Sequence, residues 1–90
     1  MNSPKIQFWV LSRNRPEYLR ETLLSASAQI APGIEILVSD NSDNDDIVSM
    51  VASEFPHVKV IARRPVLPAL THFRVVLAEA SAEYITLFHD

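Results

Sequence analysis

Nine residues of this chain carry the polar chemistry that a charged ligand needs. They fall in four short groups: Ser12, Arg13 and Asn14; Asp40 and Asn41; Arg63 and Arg64; His89 and Asp90. Each group follows directly on an apolar run. In an open parallel sheet, ligands bind outside the carboxyl ends of the strands, so the four groups are expected to share one edge. Two carboxylates, several cations and small polar groups suit a phosphate-bearing ligand with a bridging metal. The run Glu83-Tyr84-Ile85-Thr86-Leu87-Phe88-His89 leads straight into Asp90. A buried strand ending in an acid is a common way to hold a metal ion at a sheet edge. Glycine-based phosphate loops are excluded, because Gly33 is the single glycine and sits at a predicted helix end. Neither a dinucleotide-binding fingerprint nor a P-loop can be built without more glycines. Side chains and a metal must therefore hold any phosphates.

The elements that would position these groups alternate regularly. Ile6 to Leu11 is an apolar run with Phe, Trp and Val and reads as a buried strand. Asn14-Arg15-Pro16-Glu17 reads as a helix start, with Asn14 as cap, Pro16 in the first turn and Glu17 closing a capping box. Leu19, Leu23, Ala26 and Ile30 then form one apolar face, and Pro32-Gly33 turns the chain. Ile34 to Ser39 is a second strand. Asp40 to Asn44 is a polar loop, and Asp45 and Asp46 fall in the first turn of the next helix, where the dipole favours acids. Val48, Val51, Ala52 and Phe55 are the expected buried face of that helix, and Pro56 stops it. Val58 to Ala62 is a short third strand. Pro68 opens a third helix with Leu70, Phe73, Leu77 and Ala80 facing inward, and Glu83 to Phe88 is the fourth strand. A β-α-β-α-β-α-β order implies parallel strands joined by right-handed crossovers, an α/β Rossmann-like three-layer sandwich.

Composition narrows the function classes. Ninety residues allow one small domain, here residues 1–90 as a single partial domain. Hydrophobic content of 48% and charged content of 21% are ordinary for a globular fold. A net charge of −3 argues against a nucleic-acid surface. Without cysteine there is no disulfide or thiolate–zinc framework. No apolar run reaches the roughly 18 residues of a membrane span, and the N-terminus lacks a signal-peptide layout. These features fit a cytoplasmic location, with the full-length protein at the inner face of the membrane as a further expectation.

Three landmarks in order give a specific resemblance. Val10-Leu11-Ser12-Arg13-Asn14-Arg15-Pro16-Glu17-Tyr18-Leu19 is similar to the opening of family 2 glycosyltransferases, which have the GT-A fold. Ile36-Leu37-Val38-Ser39-Asp40-Asn41-Ser42 resembles that family's second strand and Asp-rich loop. Ala82-Glu83-Tyr84-Ile85-Thr86-Leu87-Phe88-His89-Asp90 resembles the strand leading into its Asp-x-Asp metal motif. The resemblance implies the donor-binding part of an enzyme that moves a sugar from a nucleoside-diphosphate-sugar to a hydroxyl acceptor with inversion. It implies that Asp40 accepts a hydrogen bond from a nucleobase ring N–H, as in a UDP- or dTDP-sugar. Ser12 and Arg13 would line the base and ribose pocket. Arg74 would serve the diphosphate from a position shifted along the third helix. Asp90 would be the first acid of the metal motif, with Mn2+ or Mg2+ acting as a Lewis acid on the departing nucleoside diphosphate. The catalytic base and the site for a glycan or lipid-linked acceptor would lie outside these residues.

Departures from the family pattern are visible. Arg13 replaces the usual Tyr, Leu11 the usual Pro and Ala82 the usual Gly. The competing reading is a non-catalytic α/β binding module. Under it Asp40 is only the first residue of an Asx turn, Arg63 and Arg64 are solvated cations, and His57 and His72 are structural or surface residues. A receiver-like phosphoacceptor is disfavoured, because Ser12-Arg13 stands where an acidic pair is needed and no lysine follows Lys59.

Overall fold

The computed structural model describes residues 5–29 and 31–89, so the expected roles of Ile30 and Asp90 lie outside the described residues. The elements are β1 (Ile6–Ser12), α1 (Pro16–Ser27), β2 (Ile34–Asp40), α2 (Asp46–Glu54), β3 (Lys59–Ala62), α3 (Ala69–Glu79) and β4 (Tyr84–His89). All strand pairs are parallel, in the order β3-β2-β1-β4. The chain thus steps outward from β1 to β3 and then returns to the far side of β1. With right-handed crossovers, that reversal puts α3 on the opposite face from α1 and α2.

Two cores result. Val10, Ile36 and Val38 face α1 and α2, packing with Leu19, Leu23, Ile47, Met50, Val51, Phe55 and Val58. The alternate residues Trp9, Leu11 and Leu37 face α3 and meet Val76. Strand alternation sends neighbouring residues of β1 into different layers, which is why the whole run is apolar.

Three local expectations are corrected. Arg15, not Asn14, is the N-cap of α1, and no side chain caps that end; Pro16 does occupy the first turn. Asn14 instead adopts a left-handed conformation at φ 55. Its N–H donates to Ser42 Oγ at 2.7 Å and its Oδ1 accepts from the Asp43 N–H at 3.2 Å. A long-range bond to the neighbouring loop outcompetes the local cap. In α2 the buried face is Ile47, Met50 and Val51 running to Phe55, with Ala52 exposed. In α3 the buried residues are His72 and Val76, while Leu70, Phe73 and Leu77 are exposed. Ala80 does pack against the core. Both helices carry apolar residues on more than one side, so periodicity alone could not choose the face.

Candidate functional site

Strand register brings the predicted groups level. Ser12 lies opposite Asp40, Asp40 opposite Ala62, and Leu11 opposite His89. The ladders continue one step beyond, with Asn41 N donating to Ser12 O at 2.8 Å and Arg63 N donating to Asp40 O at 2.8 Å. The loops after β1, β2 and β3 therefore leave the sheet side by side.

Asp40 is fully buried. Its Oδ1 accepts the Ser42 N–H at 3.1 Å, an Asx turn. Its Oδ2 accepts Arg64 Nη2 at 3.1 Å. The same guanidinium donates to the Asp40 and Asn44 carbonyls and sits 3.5 Å from the Asp45 carboxylate. Arg64 is thus no solvated cation but the lid over Asp40. An ionised carboxylate offers about four lone-pair sites, so these two bonds leave it capacity for another donor.

Asn41 clamps the next loop at two points. Its Nδ2 donates to Leu67 O and its Oδ1 accepts Leu67 N–H, both at 2.8 Å. The clamped segment contains the cis Arg64–Pro65 bond. Ser12 is buried beside Asp40, and exposed Arg13 reaches Asn41 O at 3.4 Å. Ser12, Arg13, Asp40, Asn41 and Arg64 form one group. Arg74 does not join it: it stands on the exposed side of α3, two residues from both His72 and Val76.

Beside the group lies a network that runs from a buried Ser–His contact to an exposed ion pair. Arg63 Nε donates to Ser39 Oγ at 2.9 Å, and its two terminal nitrogens hold Glu79 at 2.9 Å each. Ser39 Oγ lies 2.7 Å from His72 Nε2. Burial, then the nearby Arg63 charge and His89, hold the His72 pKa below its ordinary value, while Asp40 and the Ser39 contact oppose that shift. The Arg63 guanidinium holds the Glu79 carboxyl below its usual range. Sequence reasoning missed this network and the Asn41 clamp. The available signal was a Ser in β2, an Arg directly after β3 and a His in α3.

Among the described residues a metal finds no complete ligand set. Among the described residues no three His, Cys, Asp or Glu side chains converge, and the Asp40 carboxylate is already held by Arg64. The predicted metal ligand Asp90 lies outside the described residues.

The family model for glycosyl transferase family 2 matches residues 9–90. The chain belongs to glycosyl transferase family 2. No curated protein matches it. Among solved structures, this family 2 chain is similar to the mannosyltransferase PcManGT from Pyrobaculum calidifontis in complex with GDP-Man and Mn2+. The TM-score is 0.70 at 20% identity, over 89% of this chain and 25% of that one. At that identity the likeness is one of fold, the GT-A-like α/β arrangement. The family 2 chain spans about a quarter of the mannosyltransferase's length. None of its helices, among the described residues, is long and apolar enough to cross a membrane.

Proposed function

We propose that this chain is the donor-binding part of a glycosyltransferase that moves a sugar from a nucleoside-diphosphate-sugar to a hydroxyl acceptor, with metal assistance and inversion. The observation that carries the reading is the register of β1 against β2, which sets Ser12 directly beside Asp40 at the carboxyl edge. In this reading Asp40 accepts the ring N–H of the base, either sharing its carboxylate with Arg64 or taking it over as Arg64 swings away. Ser12 and Arg13 line the base and ribose. Arg74 is assigned to the diphosphate only if the bound ligand reaches across α3. Asp90 is assigned to Mn2+ or Mg2+, a hard cation suited to carboxylate and diphosphate oxygens. The GDP-Man and Mn2+ in the PcManGT complex support a nucleotide-sugar and a divalent ion as ligands. Uracil and thymine offer the N–H that Asp40 needs, and so does guanine, so the test uses more than one base.

The experiment is an NMR titration of the chain with UDP and with GDP, each with and without Mg2+, on the wild type and Asp40→Asn. The substitution keeps the shape and the Asx-turn acceptor while removing the charge. Saturable shifts at Ser12, Arg13 and Asp40 in the wild type, weakened at least tenfold in Asp40→Asn, are expected. A well-dispersed spectrum that neither nucleotide perturbs would overturn the reading.

A further inference from the structure

Asp40 is out of reach of a ligand while Arg64 lies on it. The Asp40 side chain has no exposed surface, whereas that of Arg64 is 32% exposed. Arg64 holds four acceptors. Its Nη2 donates to Asp40 Oδ2 at 3.1 Å and to the Asn44 carbonyl. Its Nη1 donates to the Asp40 and Arg63 carbonyls, at 3.1 Å each. The backbone acceptors do not depend on it. Asp40 O keeps the Arg63 N–H at 2.8 Å, and Asn44 and Arg63 lie where water can replace a guanidinium. Oδ2 is different. A buried carboxylate oxygen that loses its donor needs another, because leaving it unpaired is costly.

Phosphates need cations here, because one glycine cannot build a loop of backbone N–H groups around them. The chain has eight lysines and arginines. Lys5 precedes β1 and Lys59 opens β3, both at the amino edge of the sheet. Arg20 and Arg63 are engaged by Glu54 and Glu79. Arg15 lies over the Tyr18 ring at 5.9 Å, and Arg74 stands on the exposed side of α3. Arg13 and Arg64 remain at the carboxyl edge, and Arg64 is the one that covers Asp40.

We propose that Arg64 changes partners when the donor nucleotide binds. The diphosphate draws the guanidinium off Asp40, and the base N–H takes the vacated Oδ2. This rests on the reading that Asp40 receives the base. Charge stays paired through the exchange. A diphosphate offers a guanidinium the bidentate acceptors it favours. Oδ1 keeps the Ser42 N–H throughout, so the Asx turn holds the carboxylate in place. A nucleoside brings the base alone and must unpair Arg64 with no phosphate to receive it. Pyrophosphate brings the receiver alone and uncovers Asp40. The two halves of the ligand therefore assist each other, and by linkage each raises the affinity of the other by the same factor. The Arg64–Asp40 pair thus selects intact nucleoside diphosphates over nucleosides.

The test is calorimetric titration of the full-length protein, at fixed Mg2+, with UDP and GDP and with their nucleosides. Each nucleoside is titrated with and without saturating pyrophosphate. Pyrophosphate should tighten binding of the matching nucleoside roughly tenfold to a hundredfold, the weight of one hydrogen bond to a charged group. Arg64→Ala should bind that nucleoside more tightly than the wild type and the diphosphate less tightly, and pyrophosphate should no longer help. Asn41 still clamps the segment through Leu67 in this variant, and circular dichroism checks its fold. The pyrophosphate effect needs only the wild type. A nucleoside that pyrophosphate leaves unchanged or weakens overturns the proposal. So does an Arg64→Ala variant that weakens nucleoside and diphosphate alike, as a guanidinium that only holds the loop would, or one that tightens both, as a lid without a phosphate role would. Diphosphate binding without the exchange signature removes the role of Arg64 alone. Failure of both UDP and GDP to bind removes the donor-site reading and the exchange with it.

Discussion

At Ser39 a single hydroxyl links a guanidinium to an imidazole. Arg63 Nε can only donate, and it donates to Ser39 Oγ. Ser39 Oγ also lies 2.7 Å from His72 Nε2, and the ring tautomer decides which of the two donates. Burial is the largest cause of the lowered His72 pKa, and the Arg63 charge adds to it. The linkage has a definite sign. Above the ordinary value of 6.5 the ring is neutral folded and unfolded, and the stability is intact. As pH falls below 6.5 the unfolded chain takes up a proton that the folded chain refuses, so stability is lost down to the folded pKa. The urea midpoint should fall between pH 7 and pH 5. In His72→Gln, which keeps an acceptor for Ser39, that fall should shrink. An equally steep fall in the variant would show that His72 is not the group responsible.

Helix and loop placement depends on bonds that cross between elements. Asn41, just past β2, satisfies both backbone groups of Leu67 and so holds the segment leading into α3. Asn41→Ala would leave a half-buried N–H and C=O without these partners, at a cost of about 1–3 kcal/mol. Hydrogen exchange should speed up at the Leu67 amide while the β1–β2 ladder stays protected. Unchanged exchange at Leu67 would mean that the loop is held by other contacts. By contrast, the Arg20–Glu54 pair joining α1 to α2 has good geometry at 2.8 Å but lies at the surface, where such pairs contribute little.

Across the whole molecule the two layers differ in strength. The α1/α2 face has ten buried apolar residues from five elements or their ends, whereas α3 contributes Val76 alone to the opposite cluster. Leu23→Ala should therefore cost about 2–5 kcal/mol. Val76→Ala removes less surface and should cost about 1–3 kcal/mol. Because opening free energy follows buried contacts, α3 amides should exchange before those of α1. Global unfolding as the first event at α3 would show that the layers are one cooperative unit.

The order of strands and helices was legible in the sequence because each strand is a short apolar run and every connection but the ones between β1 and α1 and between α3 and β4 carries Pro, Gly or Asp. Ile6, Ile34 and Ala62 mark strand limits in both the reading and the structure. The carboxyl-edge cluster of Ser12, Arg13 and Asp40 was legible too, since parallel strands must deliver their following residues to one edge. Helix faces were less legible. Leu70, Phe73 and Leu77 look as buriable as Val76, and the choice fell to His72, which needed the buried Ser39 hydroxyl as partner. Arg63 and Arg64 likewise read as loop cations, because nothing in one dimension places Glu79 or Asp40 within reach. Periodicity and turn chemistry are local and survive in the sequence. Which polar groups must satisfy one another inside the fold depends on residues roughly thirty positions apart, and only the packed sheet decides it.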